Sequence, residues 1–167
     1  MASLAPRFSK KSSTHMPVLM ACVQATDGAV LELGSGMYST PLLHWLCSLK
    51  QRKLITYEDS LDWFTEAKKF QNKYHRIRLV EDWDKIDISG HWSVAFIDQS
   101  TASRSPMAIK LKDNADYIVI HDTNSPHHYH YDTVWPHFKY RYDFTKQDPW
   151  TSVVSNTKDL SWLDIKL

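Results

Sequence analysis

A chain of 167 residues with 20 basic and 19 acidic side chains is long enough for one sheet covered on both faces and too short for a cofactor domain plus a separate substrate domain. The balanced charge leaves no field for gathering a polyanion, so nucleic acid is not the expected partner. Cys22 and Cys47 lack the spacing of a thiolate zinc site and the number for a disulfide framework. No run of 18 apolar residues and no secretory apolar stretch is present, which points to a cytoplasmic protein that does not engage a membrane.

In chain order, residues 1–15 read as irregular, and 17–24 as a short helix ahead of the turn Thr26-Asp27-Gly28. The segment 1–28 is therefore expected to be partly flexible, with 29–167 forming one domain. Residues 29–33 are a short apolar run suited to a strand buried on both faces, ending at Gly34. A helix follows over 39–51, with Ser39 or Thr40 as its cap and Pro41 in its first turn. Residues 53–57 read as a strand, 60–74 as a helix from the spacing of Leu61, Phe64, Ala67 and Phe70, and 76–80 as a strand. Two further buried strands are expected over 92–97 and 117–120, with a short helix over 105–114 between them. Five β-α units in succession imply a doubly wound, mostly parallel sheet with right-handed crossovers. The stretches 139–144 and 150–155, flanking Thr145 to Pro149, read as an antiparallel hairpin that closes a seven-stranded sheet.

Two of only four glycines, Gly34 and Gly36, stand together after the first strand. A first β-α turn must bend sharply and let a ligand approach bare backbone, beside the unpaired N–H groups of a helix N-terminus. Glu58 lies 22 residues beyond Gly36 at the expected end of the second strand, where a carboxylate can accept from both hydroxyls of a ribose. The segment Val30-Leu31-Glu32-Leu33-Gly34-Ser35-Gly36, followed by Ser39 and Thr40, resembles the first motif of class I S-adenosylmethionine-dependent methyltransferases. Tyr57-Glu58-Asp59 with Trp63 is similar to their second. The resemblance covers roughly residues 29–122 and, in strand order, continues to 155.

What the resemblance implies is an α/β, Rossmann-like fold that binds S-adenosylmethionine. Glu32 would hold the cofactor's ammonium, Gly34, Ser35 and Gly36 would line its carboxypropyl part, and Glu58 with Asp59 would bind the ribose. Asp82 and Trp83 would border the adenine, although Glu81 could replace Asp82 and Trp83 could be core. Tyr38 and Ser39 complete the cofactor set. A nicotinamide-dinucleotide oxidoreductase is the rival reading of the same turn, but position 39 is Ser, and an acid two residues before the first glycine suits an ammonium better than a pyrophosphate.

The fourth strand ends at Asp98 and the fifth at His121-Asp122, which places the candidate catalytic residues Asp98, His121 and Asp122 at adjacent strand ends. Their spacing is similar to that of small O-methyltransferases of the catechol and macrolide-sugar type, which implies a magnesium ion on Asp98 and Asp122. Thr123 stands where an Asn would be wanted. Arg104 would bind an acidic acceptor or pair with Asp98. His127, His128 and His130 form no complete transition-metal set and read, with Tyr38, as a lid over the acceptor. The expected activity is methyl transfer to a small molecule, at oxygen where a base is needed. The alternative is a non-catalytic binding protein whose aromatic C-terminal half serves a partner or a homo-oligomer.

Overall fold

The computed structural model describes residues 10–99 and 102–166. Seven strands form one sheet: β1 (Val30–Leu33), β2 (Leu54–Glu58), β3 (His75–Leu79), β4 (Trp92–Ile97), β5 (Ala115–His121), β6 (Tyr140–Phe144) and β7 (Thr151–Ser155). Their spatial order is β3-β2-β1-β4-β5-β7-β6. The first five are parallel, and β7 runs antiparallel to both β5 and β6. The expected mostly parallel sheet with an antiparallel C-terminal hairpin is what forms. Placing β7 between β5 and β6 departs from the 3-2-1-4-5-6 order of dinucleotide-binding sheets.

The helices are α1 (Met16–Gln24), α2 (Ser39–Leu49), α3 (Leu61–Ala67), α4 (Arg104–Lys110) and α5 (Pro126–Tyr129). On one face α1 and α2 bury Val18, Leu19, Leu43 and Cys47 against Val30, Leu54, Val94 and Phe96. On the other, Met107 and Ala108 of α4 and Tyr131 pack on Leu31, Leu33, Ile97 and Ile120. Because strand side chains alternate between faces, Glu32 shares the α1/α2 face with Val30. Every residue of β1, β2 and β4 is buried, as a central parallel strand covered on both sides requires.

Several elements differ from the sequence reading. The helix expected over 60–74 ends at Ala67 and tightens into a 3-10 turn over Lys68–Phe70. Asn72 ends it, accepting from the backbone N–H groups of Tyr74 and His75, both at 2.8 Å, and starting β3 there. The crossover between β3 and β4 holds only the 3-10 turn Trp83–Lys85. Helix α4 stops at Lys110, because Leu111 accepts from Asn114 and Ala115 and turns the chain into β5. Thr14 and His15, read as irregular, are buried. The remainder of that stretch from residue 1 to 9 lies outside the described residues. No helix among the described residues is long and apolar enough to cross a membrane.

Candidate functional site

The turn between β1 and α2 is built on Gly34, whose φ of +86° is open to glycine at little cost. A Cβ there would lie 2.5 Å from the backbone N and 2.6 Å from the Cα of Gln99, so the turn presses on the end of β4. Gly36 is different. A Cβ on it would meet only Ser39 Oγ, at 3.1 Å, which leaves its backbone as the bare surface of the turn. The expected cap of α2 does not form: Tyr38 occupies the capping position and its side chain makes no capping hydrogen bond. The hydroxyls of Ser39 and Thr40 turn inward to Glu32 instead. Beside the turn, between α2 and α3, lies a cavity of about 210 Å³ lined by Ser35, Gly36, Met37, Thr40, Trp63 and Phe70. It is smaller than the ~300 Å³ at which ligand pockets begin.

Glu32 is completely buried, and among the described residues no basic side chain bonds to it. Thr40 Oγ1 donates to its two oxygens at 3.0 and 3.1 Å and accepts from Gly36 N–H at 3.0 Å. Thr56 Oγ1 lies 2.6 Å from Oε2 and 2.8 Å from His75 Nε2, and His75 Nδ1 lies 3.2 Å from His44 Nδ1. Burial raises the Glu32 carboxyl to about 7; hydrogen bonds from Thr56, Ser39 and Thr40 oppose that rise, and the nearby Glu58 charge adds to it. Burial, with His44 close by, lowers the His75 imidazole to about 3, so it stays neutral. A buried acid lacking a counter-ion is costly to ionise unless a cation arrives.

Glu58 closes the turn from β2. Its Oε2 accepts from Ser35 N–H at 2.6 Å and Ser35 Oγ at 2.8 Å, and Oε1 accepts from Ser60 N–H at 2.8 Å. Burial raises its pKa, against these hydrogen bonds. Asp59 accepts from Trp83 Nε1 at 3.0 Å, which brings the residues after β2 and β3 together. Trp83 is also a core residue. Asp82 caps the turn that follows it and pairs with Lys85 at 2.9 Å, so its carboxylate is occupied locally.

At the β4/β5 edge, Arg104 is 4% exposed and joins both strand ends. Its guanidinium lies 3.0 Å from Asp98 Oδ1 and 2.9 Å from Asp122 Oδ2, and donates to the carbonyls of Asp98, Gln99 and His121. Its side chain also stacks over Tyr129, 4.3 Å from the ring centre. Of the two sequence readings of Arg104, pairing with Asp98 is the one observed, extended to Asp122. Burial pushes the Asp98 carboxyl up, but the hydrogen bond and charge of His121 and the charge of Arg104 together bring it below its ordinary value. His121 is buried, with Nδ1 3.2 Å from Asp98 and Nε2 2.9 Å from Thr14 Oγ1. Asp122 has φ +59°, which aims its carboxylate back at the guanidinium. Arg104 supplies the positive charge between the two acids, so Asp98 and Asp122 do not fit a magnesium ion.

His127 and His128 are exposed on α5, and His130 follows in a left-handed conformation, so the stretch read as a loop is partly helical. The residues that sequence reasoning missed are Thr56, His75, Thr14 and His15. The alternation of β2 places Thr56 on Glu32's face, opposite it in the register, a signal available before folding. The other three depend on which elements pack together.

No protein-family model and no curated protein matches the chain. Solved structures do. The N-terminal domain of human METTL16 in complex with SAH superposes with a TM-score of 0.61 at 10% identity, covering 91% of this chain and 72% of that one. Cofactor-bound Rv0187 from MTB gives 0.67 at 15% identity over 92% and 84% of the two chains. Precorrin-6y C5,15-methyltransferase from Geobacter metallireducens GS-15 gives 0.62 at 14% identity over 91% and 94%. The chain has the class I methyltransferase fold.

Proposed function

We propose that this protein binds S-adenosylmethionine at the β1/β2 edge and transfers its methyl group to a small molecule, at oxygen. The observation that carries the reading is Glu32: a wholly buried carboxyl, ringed by hydroxyls and lacking a cation among the described residues, beneath a turn whose bare backbone is Gly36. An ammonium is the complement of that site. Glu58, with Asp59 beside it, would take the ribose hydroxyls, which requires Ser35 Oγ to yield its place on Oε2. Gly34, Ser35 and Gly36 would line the carboxypropyl group, with Tyr38 and Ser39 at the start of α2 and Trp83 and Asp82 toward the base. The fold supports this cofactor over a dinucleotide, because β7 stands between β5 and β6. Two of the similar structures are described as bound to SAH or cofactor.

Bound there, the cofactor would supply a methyl group activated by its sulfonium. The protein's task is alignment, plus proton removal where the acceptor is a hydroxyl. Asp98, at 23% side-chain exposure against 4% for His121, would take that proton, with His121 positioning it directly and Asp122 through Arg104. The near-neutral charge supports a small acceptor over a nucleic acid.

Calorimetry with S-adenosylhomocysteine tests the cofactor site directly. One saturable equivalent is expected, weakened at least tenfold by Glu32→Gln; no binding, or saturable NAD binding in its place, overturns the reading. The second reading, a binding protein that does not turn over, is favoured by Arg104, which neutralises both acids at the acceptor edge. It predicts the same cofactor binding with no methyl transfer to any hydroxylated acceptor. The domain boundary at residue 28 and self-association remain proposals, the latter supported by exposed Trp45, Leu49, Leu61 and Trp63 on α2 and α3.

A further inference from the structure

Away from the glycine turn, three side chains converge where the start of α1 meets the ends of β4 and β5. His15 is 1% exposed, and among the described residues neither of its ring nitrogens has a hydrogen-bond partner. Buried polar atoms are nearly always bonded, so two orphan nitrogens on one ring require an explanation. The ring stands edge-on to that of His121, with centres 4.8 Å apart. One donor atom each from His15, Asp98 and His121 lie within 4.8 Å of one another.

Around His121, Thr14 Oγ1 lies 3.3 Å from the Lys11 carbonyl and 2.9 Å from Nε2, while Nδ1 lies 3.2 Å from Asp98 Oδ1. The hydroxyl can donate to either neighbour, so Nδ1 can share a hydrogen with Asp98 or, in the other tautomer, offer its lone pair to a metal ion.

We propose that His15, Asp98 and His121 form a binding site for a borderline divalent transition ion of the zinc class. Two neutral imidazoles and one carboxylate are the donor set that zinc, cobalt and iron(II) take up, whereas magnesium prefers oxygen alone. Metal bonds of about 2.0–2.1 Å place ligand atoms roughly 3.3–3.6 Å apart. His121 and Asp98 already stand close to that separation, 3.2 Å apart, so the ion would chiefly draw His15 toward them. The outer contacts are in place: Thr14 hydrogen-bonds His121 Nε2, and Arg104 holds the Asp98 carboxylate. The bound ion would tie the chain just before α1 to the acceptor edge of the sheet. The site is separate from the cofactor turn, and an ion held there would occupy Asp98 in place of its proposed role as proton acceptor.

The test uses the intact, untagged chain, freed of metal by a chelator and titrated with cobalt(II), with visible d–d absorption as the readout and zinc as competitor. One saturable equivalent, displaced by zinc, is expected. His15→Ala should weaken it at least tenfold, while a His127→Ala/His128→Ala double variant should bind like the parent. Because His15→Ala alters a buried position, a second readout uses the parent alone: one equivalent of zinc should raise Tm, and chelator should reverse the rise. An Nδ1–H on His121 would satisfy Asp98 without metal. No saturable uptake, or undiminished uptake by His15→Ala, would overturn the proposal.

Discussion

The two ends of the candidate site solve the same electrostatic problem in opposite ways. At the β1/β2 edge, Glu32 and Glu58 are buried with only hydroxyl and amide partners, and both carboxyls are shifted up. At the β4/β5 edge, Asp98 and Asp122 share a buried guanidinium, and Asp98 is shifted down. Among the described residues the first edge lacks a cation and the second contains one. A ligand bearing positive charge is therefore expected at the first, and strand-end rigidity is the first consequence of the second. The two edges meet where Gly34 packs against Gln99.

The largest expected effect comes from removing the internal cation. Arg104→Met leaves two partly buried carboxylates unpaired and should cost about 3–5 kcal/mol of stability at pH 7, measured by urea unfolding. The sign with pH follows from Asp98. Its depressed folded pKa contributes stability above the unfolded value near 4 that is lost as pH falls through the folded one, so the gap between parent and variant should narrow below about pH 4. An unchanged gap there would mean that Arg104 contributes by packing on Tyr129 rather than by charge.

Next is the contact between the edges. Gly34→Ala combines a positive φ with a backbone clash and should destabilise by ~3 kcal/mol or more. Gly36→Ala should unfold within about 1 kcal/mol of the parent, because it meets only a movable hydroxyl, while reducing S-adenosylhomocysteine affinity in calorimetry. Equal losses of stability in the two variants would erase the distinction between a structural and a ligand-facing glycine.

Glu32→Gln isolates the cation-seeking carboxyl. With a folded pKa of about 7 above an unfolded value near 4.3, the parent should lose stability as pH rises through that window, by up to about 4 kcal/mol. The variant should lack this slope and be more stable at pH 8, by about 1–3 kcal/mol once lost hydrogen bonds are counted. Parallel denaturation curves at pH 5 and pH 8 decide it. The smallest effect is expected from Ser35→Ala. It frees one acceptor position on Glu58 and should tighten S-adenosylhomocysteine binding by about 0.5–1.5 kcal/mol; weaker binding would show that Ser35 Oγ contacts the ligand instead.

Much of this was written locally in the chain. Short apolar runs that end at Gly34, Glu58, Asp98 and His121 determined the parallel strands and placed those residues at their ends, because a strand buried on both faces needs continuous hydrophobic sequence. The placement of Gly34 and Gly36, and of Glu58 after the second strand, was legible for the same reason. Helix ends were not: α3 yields to Asn72 and α4 to the turn at Leu111, each settled by one or two hydrogen bonds. Nor could sequence spacing assign the partners of the acids. Whether Arg104 meets a ligand or its own neighbours, and whether His15 lies free or buried against His121, depends on how α4 and the segment before α1 dock on the sheet. Those are contacts between residues 18 and 106 positions apart, decided by packing and desolvation when the elements assemble, and only the tertiary structure makes that choice.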